Sequence, residues 1–236
     1  MQNTKEILRV VCGSQAHGLA TPESDFDYRG VFIVPTSEIL KLGGSPKTTH
    51  WIEGNDDDTS WELGHFLNLA IHCNPTILET FLAPMVYSDL KSGDLVKDIY
   101  DNDTANRYAY ELRDLFSFIW NSKDVCNAFV GYGVNQRKKM LEDKDARPHK
   151  YAAAYLRVLY NAYELLTTST FTIRIIDTPV GETVKRFKEG NFQKGEVIDV
   201  CEHWQKEVEK IAKENPRDAD LEPVNEFLLK VRKENW

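Results

Sequence analysis

The sequence predicts an α+β fold, with a small mixed β-sheet inside residues 1–90 and a mostly helical C-terminal module over residues 91–236. Two observations carry this expectation. Up to Glu53 the chain is built of short aromatic and β-branched runs separated by Gly, Pro and Asn, the pattern of strands and turns. From Gly93 onward apolar residues recur mainly at helical spacing. With 236 residues, 42% of them hydrophobic, the chain is long enough to bury a sizeable core.

In order, Ile7 to Cys12 is an apolar run that reads as a buried strand, stopped by Gly13-Ser14. After a turn, Ser24 to Val34 reads as a second strand. Pro35 to Leu42 fits a short helix, ended by Gly43-Gly44-Ser45-Pro46. Thr48 to Glu53 reads as a strand, and Gly54-Asn55 turns into another, which places Asp56, Asp57, Asp58 and Thr59 on or beside a third core strand. Thr59 or Ser60 is expected to cap a helix from Trp61 to about His72, in which Leu63, Phe66, Leu67 and Ala70 share a face. Asn74 as cap and Pro75 as first residue start a helix that runs to Leu82. Helices are then expected at Gly93–Tyr100, Ala105–Trp120, Val125–Glu142 and Lys150–Leu166, a β-branched strand at Thr170–Ile176, and helices at Gly181–Phe187, Gly195–Lys213 and Glu222–Arg232.

The chemistry concentrates between Cys12 and Val34. A Gly-Ser pair at the end of a strand can free backbone N–H groups for an anion. Side chains at i and i+2 of a strand share a face, so Asp25 and Asp27 project together while Phe26 and Tyr28 point the other way. Neighbouring carboxylates repel unless a cation lies between them, and Mg²⁺ suits the place because it takes one or two carboxylates together with substrate phosphates. An isolated Asp-x-Asp is ordinary at a strand edge. Joined to Gly13-Ser14 through a small-residue turn (Ala16, Gly18, Ala20), it supplies a phosphate cradle and metal ligands in one unit.

The Gly-Ser pair followed about ten residues later by a spaced acidic pair resembles the signature of the DNA polymerase beta-like nucleotidyltransferase superfamily. The longer strings, His17-Gly18-Leu19-Ala20 and Ser24-Asp25-x-Asp27-x-Arg29-Gly30-Val31, look more narrowly like the predicted nucleotidyltransferases of bacteria and their phages, as does the stretch from Asp57 to Pro84. The resemblance implies a nucleotidyltransferase core that moves a nucleoside monophosphate from an NTP to an acceptor hydroxyl, with Mg²⁺ or Mn²⁺ as cofactor. It further implies that Gly13 and Ser14 hold the phosphates and that Asp25 and Asp27 hold metal. A two-metal site needs a third carboxylate. Asp58 is favoured, with Asp57 close behind and Glu62 a weaker choice as a first-turn helix residue. His17 either approaches a phosphate or stabilises the turn. Lys150 and Arg157, two turns apart on one helix, are candidates to face the triphosphate, with Arg137-Lys138-Lys139 adding charge on the preceding helix.

The acceptor stays open among an RNA end such as a tRNA 3′ terminus, a protein side chain and a small molecule. A rival reading is an inert module that binds a nucleotide or a partner without turnover. A net charge of −8 argues against a tight nonselective grip on nucleic acid but leaves room for a local basic groove. The N-terminus lacks a signal-peptide pattern and no apolar stretch reaches the roughly 18 residues of a membrane span, so a cytoplasmic location is expected. Cys12, Cys73, Cys126 and Cys201 show no C-x-x-C spacing and are expected to be reduced. His65 and His72 have no third ligand at a convincing spacing and are read as core or rim residues.

Overall fold

The computed structural model describes residues 4–43, 48–52, 55–86 and 107–236, without the side chains of 50–52 and 55–57. The sheet is four-stranded, in the order β1-β2-β4-β3. Strand β1 (Lys5–Cys12) runs antiparallel to β2 (Asp27–Ile33), β2 is parallel to β4 (Asn55–Glu62), and β3 (Thr49–Ile52) closes the far edge antiparallel to β4. The sheet is therefore mixed, as expected. The outer edge of β1 is covered by residues 84–86: Val11 N–H donates to Pro84 O at 2.8 Å and Val86 N–H to Arg9 O at 2.9 Å, which removes a free strand edge.

Helix α1 (Gly13–Ala16) is one turn at the end of β1, and α2 (Thr36–Ile39) follows β2. One face of the sheet packs against α3 (Leu63–Ile71) and α4 (Pro75–Leu82). Val10, Val31 and Ile33 from the strands meet Leu63, Phe66, Leu67, Ile77, Leu78 and Phe81 in one buried cluster. Asn74 caps α4 as the sequence predicts, its Oδ1 accepting from Thr76 N–H at 3.0 Å and Ile77 N–H at 3.4 Å.

The helical part comprises α5 (Arg107–Asp114), α6 (Phe116–Ile119), α7 (Ser122–Leu141), α8 (Pro148–Thr168), α9 (Gly181–Lys188), α10 (Lys194–Glu214) and α11 (Glu222–Glu234). A file of rings joins it to the sheet part: Phe66–Phe81, Phe81–Phe116, Phe116–Phe171 and Phe171–Phe129 lie 4.9, 6.2, 6.1 and 6.1 Å apart between centroids. Each such ring is worth about 1.5–3 kcal/mol of burial, so the two parts share a core rather than a wet seam. The C-terminal helix returns to the sheet part, where Thr36 N–H donates to Asn235 O at 2.8 Å and Arg232 Nη1 pairs with Glu62 Oε1 at 2.7 Å. The expected division at residue 90 and the expected helix Gly93–Tyr100 lie outside the described residues.

Four expectations need correction. The second strand opens at Asp27 rather than Ser24. Thr59 and Ser60 do not cap α3: they are laddered to Arg29 and Gly30 in β4, which runs on to Glu62, so Asp58 lies inside the strand rather than at its end. Glu62 is the cap instead, its Oε2 accepting Gly64 N–H at 2.7 Å. The segment expected as one helix from Ala105 to Trp120 is divided between α5 and α6 at Leu115, whose N–H bonds back to Leu112 O at 3.2 Å. Thr170 to Ile176 is not a strand. Glu164 of α8 takes Thr172 N–H (2.6 Å) and Oγ1 (2.7 Å), and Asn161 Nδ2 donates to Thr172 O (3.1 Å), so helix side chains satisfy the backbone that a partner strand would have.

Candidate active site

The site is assembled where β1 ends. Cys12 is in register with Asp27 on β2, and Gly13 turns the chain with φ +62°, a left-handed conformation natural to glycine. A Cβ at Gly13 would overlap Asp27 Oδ2 and stand 3.1 Å from its Cγ, so the missing side chain makes room for the carboxylate. Ser14, half-exposed, begins the turn, and its carbonyl accepts Leu19 N–H at 2.9 Å. Gln15 Nε2 donates to Ser24 O at 3.1 Å, which pins the returning chain just before the acidic pair.

Asp25 is exposed and Asp27 half-buried. The rings of Phe26 and Tyr28 stack at 6.4 Å between centroids and 15° between planes, so these two side chains lie together. Asp58, 6% exposed, accepts Tyr28 N–H on Oδ1 at 2.8 Å, so it is bonded to the amide that follows Asp27. Burial pushes the Cys12 thiol up to about 12; Arg29 opposes the shift, while Glu79, Asp27 and Asp58 add to it. One thiol thus feels Asp27, Asp58, Glu79 and Arg29 together. Among the described residues no three of His, Cys, Asp and Glu are grouped closely enough to hold one ion, and the Asp57 side chain lies outside the description.

Behind this corner lies a buried charge cluster centred on Glu79 of α4, 3% exposed. His17 Nε2 donates to Glu79 Oε1 at 2.9 Å, Arg157 Nη1 of α8 to Oε2 at 3.2 Å, and Arg29 Nη1 of β2 approaches Oε1 at 3.5 Å. Burial alone would raise the Glu79 pKa; Arg157, Arg29 and His17 outweigh it and hold the carboxyl well below its usual range. Burial, then Arg157, lowers His17 to about 4, so its ring is neutral near pH 7.

The sequence-predicted cations separate into two kinds. Arg157 is committed to Glu79, whereas Lys150 is exposed near the start of α8. Arg137, Lys138 and Lys139 are occupied elsewhere: Arg137 pairs with Glu202 at 2.9 Å, Lys138 with Glu142 at 3.9 Å, and Lys139 lies 5.6 Å from the Tyr151 ring centroid. Sequence reasoning missed Glu79, Lys188 and the part played by Arg29. Glu79 had a signal, because it is the sole acid of an otherwise uncharged helix, PTILETFL, with no basic residue a turn away to pair with. Arg29 had one too, since strand alternation places it on the face of Asp27. Lys188 of α9 had none.

A left-handed Gly13 followed by Ser14 at the end of one strand, set against an acidic residue that opens the next in a small mixed sheet with appended helices, is the arrangement that the resemblance to polymerase beta-like nucleotidyltransferases implies. Residues 1–173 match the RlaP family, described as the RNA repair pathway DNA polymerase beta family, and the chain belongs to it. Over a 109-residue alignment that takes in 42% of this chain, the sequence is 32% identical to an uncharacterized 38.9 kDa protein of Enterobacteria phage T4, and it covers only 32% of that relative's length. Among the described residues no helix is long and apolar enough to cross a membrane, and the four cysteines are free.

Proposed function

We propose that this chain is a metal-dependent nucleotidyltransferase: an acceptor hydroxyl oxygen attacks the α-phosphorus of an NTP, the bond to the β-phosphate oxygen breaks, pyrophosphate leaves, and the hydroxyl proton passes to solvent or a nearby base. One observation carries the reading: the Gly13 backbone lies so close to the Asp27 carboxylate that no side chain fits between them, so an anion cradle and a metal-binding acid occupy the same place. Asp25 and Asp27 offer hard oxygen donors on one face, the donor set that Mg²⁺ or Mn²⁺ takes alongside phosphate oxygens. Bound there, the ion would neutralise phosphate charge and lower the pKa of the attacking hydroxyl.

The chain's own residues supply position and field. Gly13 N–H and the Ser14 N–H and hydroxyl hold phosphate. Asp58, tied to the Tyr28 amide, is proposed as the third carboxylate, with Asp57 the alternative. His17 acts on phosphate through the turn it braces, because its ring nitrogen is given to Glu79. Lys150 faces the triphosphate directly, and Arg157 contributes charge from its place against Glu79. The family's description supports an RNA end over a protein hydroxyl as acceptor. The inert-module reading draws on Asp58, one of whose oxygens is already engaged by the Tyr28 N–H.

The test is incubation with labelled NTPs and Mg²⁺ or Mn²⁺ in the presence of cellular RNA and lysate proteins. Label on RNA 3′ ends that disappears in Asp25→Ala and Asp27→Ala is the expected result. Both variants labelling at the wild-type rate would sink the proposed site, label on protein would move the acceptor, and intact NTP binding without any label would favour the inert module.

A further inference from the structure

We infer that Glu79 is the positioning residue of the corner: one carboxylate, buried away from substrate, holds the turn that carries Gly13 and Ser14 in place against the strand that carries Asp27. The inference rests on the transfer reading above and extends the residues that set its geometry to one that is 3% exposed and touches neither phosphate nor metal.

Glu79 meets three elements at once. On the turn side, His17 Nε2 donates to Oε1 at 2.9 Å, and His17 N–H donates to Gly13 O at 3.1 Å, so a shift of the imidazole is passed to Gly13. On the strand side, Arg29 Nη1 lies 3.5 Å from the same Oε1, and Arg29 follows Asp27 by two residues in β2. Arg157 Nη1 donates to the other oxygen at 3.2 Å and fixes the carboxylate to α8. One oxygen atom therefore stands between the turn and the strand. The far side of the turn is gripped as well, where Lys188 Nζ of α9 donates to Leu19 O at 2.6 Å and Ile176 N–H to His17 O at 3.3 Å.

Stability alone does not call for a carboxylate here. Helix α4 otherwise buries Ile77, Leu78 and Phe81, and the desolvation of a buried ion cluster offsets most of what its attraction returns. What the cluster adds is direction, because hydrogen bonds weaken steeply away from linear geometry whereas apolar burial is non-directional. The corner needs that direction: the Gly13 backbone and the Asp27 carboxylate lie so close that a Cβ at Gly13 would overlap Oδ2. A misplacement of about 1 Å in such a site lowers the rate about 100-fold.

The experiment compares Glu79→Gln with Arg232→Met, which breaks the buried Arg232–Glu62 pair (2.7 Å) at the far end of β4 and destabilises the chain without touching the corner. Both are read at a temperature where circular dichroism shows them folded. Amide hydrogen exchange, which needs no turnover, should be at least about tenfold faster at His17 and Leu19 in Glu79→Gln, after correction for global stability, and unchanged there in Arg232→Met. In NMP transfer, Glu79→Gln should lose at least about 100-fold in kcat with KM for the NTP within about threefold, whereas Arg232→Met should keep kcat within about threefold. Should Glu79→Gln fold poorly, His17→Asn, which leaves both arginines on Glu79, should show the same faster exchange at Leu19 and the same fall in kcat. The inference is overturned if folded Glu79→Gln keeps the wild-type exchange at the turn or the wild-type kcat, or if Arg232→Met loses as much in both readouts. A wild type that transfers nothing sinks the transfer reading alone, and the exchange comparison still decides whether Glu79 holds the turn.

Discussion

Glu79→Gln keeps the size of the side chain and one acceptor oxygen while removing the negative charge on which His17, Arg157 and Arg29 converge. The two guanidiniums lie 3.2 and 3.5 Å from the carboxylate oxygens, where unit charges attract by about 5 kcal/mol each at an effective dielectric constant of about 20. Desolvation of the same groups offsets much of that attraction, and removing one partner of a buried pair typically costs about 3–5 kcal/mol because the remaining charge is left uncompensated. In a chain of this length that is a fall in Tm of roughly 6–20 °C. Urea unfolding at pH 7 measures it, and the NMR titration of His17 supplies a second readout. The anion now raises the imidazole pKa against burial and Arg157, so its removal drives that pKa below its present value of about 4. A variant that unfolds within about 1 kcal/mol of the wild type would refute the view that this carboxylate ties the helical part to the turn.

Other substitutions separate structure from chemistry. Gly13→Ala places a methyl on Asp27 Oδ2 at a positive φ, and NMP transfer should fall at least about 100-fold in the labelling assay while circular dichroism stays native. Asp58→Ala strands the Tyr28 N–H and should cost about 1–3 kcal/mol in urea unfolding, whereas Asp58→Asn keeps an acceptor and should lose transfer with little loss of stability. If both Asp58 variants transfer normally, Asp58 is not the third carboxylate. His17 binds its proton less readily folded than unfolded, so the unfolded state takes up more protons and stability falls as pH drops. The loss should begin near the ordinary value of 6.5, be complete below about 4, and amount to on the order of 3 kcal/mol. Urea midpoints at pH 7 and pH 4.5 test this, and His17→Asn should flatten that part of the profile.

The sheet part was legible because its signals are local. The apolar run before Gly13, the strand run from Asp27 to Ile33 and the Asn74-Pro75 start each depend on neighbouring residues. Where prediction failed, distant groups decided. Thr59 and Ser60 have capping chemistry, but the ladder to Arg29 and Gly30 claimed their backbone. Thr170 to Ile176 has strand composition, but Glu164 and Asn161 met its polar groups before any strand could. Glu79 and Lys188 lie 62 and 169 residues from the turn positions they bond, separations that no periodicity encodes.

The charges of the corner lead to a prediction about metal removal. Glu79 is met by the two arginines, while the Asp27 carboxylate lies against Gly13, where the proposed phosphate site opens. A carboxylate at that place repels a triphosphate, and a low-dielectric wall strengthens the repulsion. ATP binding should therefore require a divalent ion, and EDTA should weaken it at least about tenfold, with full recovery on adding Mg²⁺ or Mn²⁺. Asp27→Asn removes the carboxylate charge nearest Gly13, so ATP should bind the variant more tightly than the wild type when no metal is present, although transfer is lost. Equal wild-type affinity with and without metal, together with an unchanged metal-free affinity in Asp27→Asn, would show that the aspartates do not face the nucleotide.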